Sequence, residues 1–276
     1  MSEFLQAIIL GIVQGATEFI PVSSSGHLVI VPWVFGWGPS SLLFDTVLHW
    51  GTLLSIVVIF WRDFLDMATA MLASIGRRSL ADANARLGWL IVLGSVPAAL
   101  SGLLFKDTLE ALFASPMTAA FALLITAGIL AGSEQLVRRR RDYRALDQLT
   151  LTDALAIGLA QAAALVPGIS RSGATIAAGL ARGIRRDHAA RFSFLLGAPA
   201  FLGAGLLQLA DALAVDPAAV RAELPYLVIG FVASALTGFV AIRFLLRYLR
   251  QHTLYIFAAY CLIVGLGILS LALIRG

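Results

Sequence analysis

Long apolar stretches alternate with short polar ones along this chain. Six apolar stretches approach the length of a membrane-spanning helix, which needs about 20 residues to cross roughly 30 Å of hydrocarbon. They are residues 44–61, 87–105, 117–137, 192–210, 225–246 and 254–273. Residues 62–86 have instead the pattern of an amphipathic surface helix followed by a polar turn. The alternation predicts an all-α polytopic membrane protein.

Two further apolar regions are each interrupted by a proline. Residues 4–20 and 22–36 are separated at Pro21, and residues 154–181 are broken at Pro167. Each apolar piece is short for a full span, so each region predicts a re-entrant hairpin of two helices. Because a membrane tolerates such a break only where protein or a polar cavity shields it, we expect both hairpins to border a polar chamber.

The second half of the chain repeats the pattern of the first. The aligned segments are residues 11–27 with 158–175, and residues 92–102 with 228–238. The sequence therefore predicts one integral membrane domain built from two repeats, residues 1–146 and 147–276. Each repeat has a hairpin and three spans. Because three is odd, the second repeat is predicted to be inverted relative to the first.

Composition excludes an ordinary soluble protein. Of the 276 residues, 59% are hydrophobic and only 13% are charged, whereas soluble domains carry about 25% charged residues. The net charge of +4 comes from arginines clustered at the ends of apolar stretches. We attribute it to orientation in the membrane and expect no nucleic-acid partner.

Most basic residues fall on one side of the predicted topology. That side carries Arg62, Arg77, Arg78, Arg86, Arg138, Arg139, Arg140, Arg141, Arg144, Arg182, Arg185, Arg186, Arg191, Arg243, Arg247 and Arg250. The opposite side carries Lys106, Arg221 and Arg275, and Arg171 lies within an apolar region. Because basic residues concentrate on the cytoplasmic side of membranes, both termini are predicted to lie on the outer side.

Two isolated charges mark a candidate site. Glu18 is the only Asp, Glu, Lys or Arg in residues 4–44, and Arg171 is the only one in residues 154–181. A charge at the centre of a membrane helix costs about 2.5–3.5 kcal/mol on insertion scales, so it indicates function by default. We interpret the two residues as halves of one site that binds an anionic, phosphate-bearing lipid.

The first hairpin offers a carboxylate, an amide and three hydroxyls. Gln14 and Glu18 are four residues apart and share a helix face. Glu18 is a candidate to hold a divalent cation or to orient a base, or it is a structural carboxylate. Ser23, Ser24 and Ser25 either cap a helix or bind an anion at its N-terminus.

Two histidines in apolar regions have different predicted roles. Ser24 and His27, three residues apart, have the spacing of a nucleophile and its base. The alternative is that His27 is a buried structural histidine. For His49, packing or a structural hydrogen bond is preferred over a place in the cavity.

The second hairpin offers hydroxyls from Ser170, Ser172 and Thr175 around the guanidinium of Arg171. An arginine fork suits two phosphate oxygens. The alternative for Arg171 is a salt bridge with Glu18 that only holds the hairpins together.

At these residues the chain resembles the bacterial undecaprenyl-diphosphate phosphatase family, the bacitracin-resistance type. The motifs are QGATE at 14–18, PVSSSGH at 21–27 and PGISRSGAT at 167–175. The resemblance implies hydrolysis of undecaprenyl diphosphate to its monophosphate in the bacterial inner membrane. This reaction recycles the lipid carrier of peptidoglycan synthesis, and bacitracin competes by sequestering the substrate.

The resemblance also implies site residues and a cofactor. Glu18, Ser24, His27 and Arg171 match the family's catalytic positions, and Gln14 stands where some members have Glu. The residues expected to bind substrate are Gln14, Ser23, Ser25, Ser170, Ser172 and Thr175. A divalent cation, Mg²⁺ or Ca²⁺, and a homodimer are further expectations.

The sequence leaves open which group attacks the phosphate and which of three functions the protein has. Attack by Ser24 and attack by an activated water both fit the motifs. A lipid-phosphate transporter or flippase is the alternative function, because inverted repeats with broken helices are typical of transporters. A scaffold protein is the third reading, and it gives the two isolated charges no role.

Overall fold

A computed structural model describes residues 3–105, 115–138 and 142–275. These residues form eleven helices and no strand. The helices are α1 (Glu3–Phe19), α2 (Ser24–Phe35), α3 (Leu42–Ile59), α4 (Trp61–Arg77), α5 (Ala83–Leu104), α6 (Pro116–Val137), α7 (Leu151–Ala163), α8 (Arg171–Ala181), α9 (Arg186–Val215), α10 (Pro217–Tyr248) and α11 (Tyr255–Arg275). Lys106, Arg139, Arg140 and Arg141, used above to predict orientation, lie outside the described residues.

The predicted all-α polytopic fold is confirmed. Within the described residues, six helices are long and apolar enough to cross a membrane: α3, α5, α6, α9, α10 and α11. Two of them are longer than the sequence indicates, because α9 has 30 residues and α10 has 32. Only Asp216 separates these two helices, and its carboxylate accepts hydrogen bonds from Ala218 N and Ala219 N, which caps α10.

Both predicted hairpins are present as pairs of short helices. α1 and α2 are separated by residues 20–23, and α7 and α8 are separated by residues 164–170. The two breaks contact one another: Gly168 N donates a hydrogen bond to Ser25 Oγ at 3.2 Å. The hairpin tips therefore meet inside the helix bundle, where protein shields their irregular backbone.

Each hairpin packs against a spanning helix of the other half. A Cβ atom built on Gly11 of α1 would lie 2.6 Å from Gly230 O in α10, and one built on Gly158 of α7 would lie 2.1 Å from Gly94 O in α5. Gly11 and Gly158 are equivalent in the sequence alignment, as are Gly94 and Gly230. Equivalent glycines thus make equivalent contacts in the two halves. The two repeats and the inverted orientation of the second stay predictions.

One end of the molecule, here called the arginine end, is held by ion pairs between buried carboxylates and more exposed arginines. The carboxylate of Asp153 bonds both Arg144 and Arg182, each at 2.7 Å. The hydrogen bonds that Arg144 donates to Asp153 raise the pKa of the Arg144 guanidinium. Glu134 likewise pairs with Arg186 at 2.5 Å. These contacts join segments that the topology places on one side.

The opposite end, here called the terminal end, contains the start of α1, which contacts α10, and the end of α11, which contacts α2. The Phe4 ring lies 4.7 Å from the Tyr226 ring. Arg275, at the end of α11, donates hydrogen bonds to the carbonyl oxygens of Trp33 and Val34. α11 thus connects the two ends of the molecule, since Leu254 N, just before its start, bonds Glu134 at the arginine end.

The reciprocal packing makes Gly158 sensitive to any side chain. We expect Gly158→Ala to lower the free energy of unfolding by about 1–3 kcal/mol, because the methyl group would collide with backbone that cannot move aside. Thermal unfolding of purified protein in detergent measures this. Gly132→Ala is the matched control, since nothing lies within 4 Å of its Cβ position. Equal stability of the two variants would contradict the close contact.

Candidate active site

Glu18 lies in the last turn of α1 and is only 4% exposed. Its Oε2 atom accepts a hydrogen bond from Gln14 Nε2 at 3.0 Å, one turn earlier in the same helix. The same oxygen accepts a hydrogen bond from Ser24 Oγ at 2.5 Å. Because the chain reverses at residues 20–23, the first turn of α2 places the Ser24 hydroxyl directly on the carboxylate.

Arg171 lies in the first turn of α8 and reaches Glu18 from the second half. Its Nη2 atom is 3.1 Å from Glu18 Oε1. Nη1 donates to Ser193 O at 2.9 Å, and the guanidinium lies 4.7 Å above the Phe201 ring of α9. The two isolated charges of the sequence therefore meet, 153 residues apart along the chain.

A cavity of about 140 Å³ adjoins this ion pair. It is lined by Glu18, Ser23, Ser24, Ser25, His49, Ala164, Leu165, Ile169, Ser170, Arg171 and Phe201. Both hairpins and both halves contribute to the wall, and hydroxyl groups dominate its polar part. The ion pair thus does more than hold the hairpins together, because its two side chains also line a polar cavity.

The cavity lies at two helix N-termini. Ser23 caps α2 by accepting a hydrogen bond from Gly26 N at 3.2 Å, and Ser170 caps α8 by accepting one from Gly173 N at 3.0 Å. Capping and cavity lining are therefore combined in the same serines. Ser23 also has a φ of 70°, a strained conformation for a residue other than glycine. Partial positive charge at both helix ends favours an anion between them.

Three of the predicted substrate contacts lie behind the cavity wall. Gln14 is fully buried and bonds Glu18. Thr175 Oγ1 donates to Arg171 O at 2.8 Å and lies 2.6 Å from Ser193 Oγ, while Ser172 Oγ lies 3.3 Å from Ser170 Oγ. We assign these three side chains to positioning, because each supports a cavity residue and none is in the lining.

His27 differs from the predicted base of Ser24. Its Nδ1 lies 2.7 Å from Ser23 O, and its Nε2 lies 2.8 Å from the Tyr260 hydroxyl of α11. The Ser24 hydroxyl is directed at Glu18 instead. The structure therefore does not pair Ser24 with His27, because i, i+3 spacing brings two residues near one another without fixing where their side chains point. The sequence offered no signal for Tyr260, which lies 233 residues away.

His49 also differs from expectation, since it lines the cavity. Its Nε2 atom is 3.5 Å from Glu18 Oε2, and its ring lies 5.5 Å from that of Phe201. An isolated histidine within an apolar span was a usable signal. Phe201 gave none, because an aromatic residue in an apolar helix looks the same whether it faces lipid or a cavity.

The side chains around Glu18 do not fit a protein-held divalent cation. No cluster of three or more His, Cys, Asp or Glu residues suited to a metal occurs among the described residues. Both Glu18 oxygens already accept hydrogen bonds, and the guanidinium of Arg171 lies against the carboxylate. Gln14 Oε1 is buried without a partner in this structure, but one amide oxygen and one neutralised carboxylate make a poor cage for a hard cation.

The backbone of Gly168, in the second hairpin tip, lies close to α6, and this closeness yields a stability prediction. Its φ of 90° suits glycine, and a Cβ atom there would lie 2.6 Å from Ala119 O. We expect Gly168→Ala to lower the free energy of unfolding by about 1–3 kcal/mol, from backbone strain and collision together. Thermal unfolding in detergent measures it. Gly128→Ala, with open space around its Cβ position, should unfold like the wild type, and a matching result for Gly168→Ala would refute the prediction.

The chain is similar to known proteins over nearly its full length. The family model described as bacitracin resistance protein BacA matches residues 7–267. A protein named undecaprenyl-diphosphatase from Desulforudis audaxviator is 41% identical over 274 residues, 98% of each chain. One of the same name from Rubrobacter xylanophilus is 46% identical over 263 residues, 94% of this chain and 95% of the relative.

A third relative of that name, from Thermomicrobium roseum, is 44% identical over 272 residues, 96% of each chain. The matched region contains the tips of both hairpins and every residue of the cavity wall. This multi-pass membrane protein therefore belongs to the BacA family of bacitracin resistance proteins.

Proposed function

We propose that this protein is an integral membrane phosphatase that hydrolyses undecaprenyl diphosphate to undecaprenyl phosphate and inorganic phosphate. One observation carries the proposal: the Ser24 hydroxyl is hydrogen-bonded to a buried carboxylate in a cavity that also contains the Arg171 guanidinium. Such a set combines a nucleophile, its base and a phosphate ligand. The names of the relatives supply the lipid diphosphate as the substrate.

The cavity has the charge and the donors that a diphosphate head requires. Phosphoryl transfer depends mainly on aligning the attacking oxygen and neutralising charge on the phosphoryl oxygens. Arg171 supplies guanidinium donors, and the N-termini of α2 and α8 supply partial positive charge. Because Arg171 already pairs with Glu18, an entering phosphate would share the guanidinium with that carboxylate.

Ser24 is the proposed nucleophile and Glu18 its base. The hydroxyl proton passes to Glu18 Oε2 as Ser24 Oγ bonds to the terminal phosphorus and the bond to the bridging oxygen breaks. Glu18 gives this proton to the bridging oxygen, with which undecaprenyl phosphate leaves, and the carboxylate is ionised again before the second step. Water then attacks the phosphoserine, its proton passes through Glu18 to Ser24 Oγ, and inorganic phosphate is released.

His27 is assigned to holding the first hairpin tip. A carbonyl oxygen only accepts hydrogen bonds, so His27 Nδ1 carries a hydrogen toward Ser23 O, and neutral Nε2 then accepts from the Tyr260 hydroxyl. This arrangement ties α11 to the strained backbone at Ser23. Through it, His27 orients the neighbouring Ser24 without touching its hydroxyl.

The divalent cation implied by the resemblance would best be held by the substrate itself. With no cage of protein ligands in the described part of the chain, the diphosphate oxygens are the natural ligands for Mg²⁺ or Ca²⁺. The steps above are carried by the protein's own side chains.

The place in the cell follows from the topology. We propose that the terminal end faces outward from the bacterial inner membrane, in keeping with the arginines at the other end. Released carrier lipid would re-enter peptidoglycan synthesis, and bacitracin would compete by sequestering the diphosphate before it reaches the cavity.

Phosphate release by purified protein in detergent tests the chemistry. We expect Ser24→Ala to lower kcat by about 1,000-fold or more, since the nucleophile is removed. Glu18→Gln and Arg171→Ala should each cost at least about 100-fold. Rapid quenching of the wild type should trap phosphate on Ser24. Ser270→Ala, an exposed position in α11, is the control and should behave as the wild type.

Two outcomes would count against this reading. Retention of most activity in Ser24→Ala would replace the serine by an activated water. Movement of the lipid across liposomes, with no phosphate released by the wild type, would favour the transporter over the phosphatase.

A labelling experiment tests the orientation. The single cysteine, Cys261, is buried and can be replaced by alanine, after which Gly38→Cys and Ser79→Cys mark the terminal and arginine ends at exposed positions. In intact cells we expect a membrane-impermeant maleimide to label the Gly38→Cys variant, and the Ser79→Cys variant only after permeabilisation. The reverse pattern would invert the topology.

A further inference from the structure

His49 is a polar residue of α3 that lines the cavity, and the proposed reaction gives it no role. It lies in the middle of that helix, two turns below its first residue, Leu42. Its Nδ1 atom is 2.8 Å from Asp45 O, and its Nε2 atom is 3.5 Å from Glu18 Oε2. The ring therefore bridges the backbone of α3 and the buried carboxylate.

The two neighbours of this ring are both hydrogen-bond acceptors. Asp45 O is a carbonyl oxygen, so Nδ1 carries a hydrogen. Glu18 Oε2 is a carboxylate oxygen that already accepts from Gln14 and Ser24. His49 Nε2 lies 3.5 Å from this oxygen, within reach of a long hydrogen bond. Because the oxygen can only accept, His49 is the group that would donate.

Neighbouring side chains hold the ring in this position. Phe201 of α9 packs on it with ring centroids 5.5 Å apart, and Trp50 Nε1 donates to Phe201 O at 3.2 Å. His49 is thus fixed by its own backbone on one side and by α9 on the other. A donor held in place in this way loses little freedom when it bonds Glu18.

We propose that His49 is a positioning residue, which donates a hydrogen bond to Glu18 Oε2 and keeps that oxygen directed at Ser24. The inference rests on the proposed function, since its value lies in the second step. Once Ser24 is phosphorylated, its hydroxyl no longer bonds Oε2. Gln14 and His49 then hold the carboxylate in place for the attacking water.

Two variants with side chains of similar shape separate the effect of the N–H donor from the effect of the rest of the side chain. Gln and Met have unbranched side chains of similar length, and only Gln has an N–H donor. We expect His49→Met to lower kcat by about 10- to 100-fold with KM little changed, the effect of losing one hydrogen bond to a charged group. His49→Gln should stay within about threefold of the wild type, because the amide restores the donor.

The inference is overturned if His49→Met keeps wild-type kcat. It is equally overturned if His49→Gln is as impaired as His49→Met while both remain folded, since a donor alone would then be insufficient. A second measurement does not depend on catalysis: a double-mutant cycle of Glu18→Gln and His49→Met on the unfolding temperature. Coupling between the two changes supports the bond, and strict additivity refutes it.

The same design separates this inference from the proposed function. If the wild type releases no phosphate, the proposed function fails, and the double-mutant cycle still decides whether His49 bonds Glu18. If the wild type is active and Ser24→Ala is not, the function stands whatever the His49 variants show.

Discussion

The whole site depends on one buried carboxylate. Glu18 lies within 3.5 Å of Gln14 on its own helix, Ser24 on α2, His49 on α3 and Arg171 on α8. An ionised carboxylate at such depth is costly unless it is paired and fully hydrogen-bonded. The four surrounding side chains meet that requirement, and in doing so they fix four helices around one cavity.

The two hairpins make this convergence geometrically feasible. Two continuous helices would keep their polar residues on separate surfaces. A broken helix instead exposes free N–H groups in the middle of the membrane. Gly26 and Gly168 allow the two tips to approach, and a Cβ atom on Gly26 would lie 3.2 Å from Gly168 Cα. Two positive helix ends and one guanidinium then face a single small space.

The sequence predicted those features whose signal is strong in an apolar background. Isolated charges and prolines stand out there, so Glu18, Arg171 and both hairpins could be found. Side-chain direction could not, because helical spacing places His27 near Ser24 while its nitrogens bond Ser23 O and Tyr260. The ends of α9 and α10 were also missed, since hydropathy detects only the apolar part of a helix and both continue into polar sequence.

During synthesis, α1 leaves the ribosome long before α10 is made. α10 is the helix against which the glycines of α1 pack. Until then the first hairpin must wait in or near the bilayer with Gln14 and Glu18 lacking their final surroundings, a state that exposes polar groups to lipid. The second hairpin, by contrast, finds α5 already made. Assembly of this protein is therefore asymmetric in time although its packing is reciprocal in space, because the second hairpin can pack once it is made, whereas the first must wait for α10.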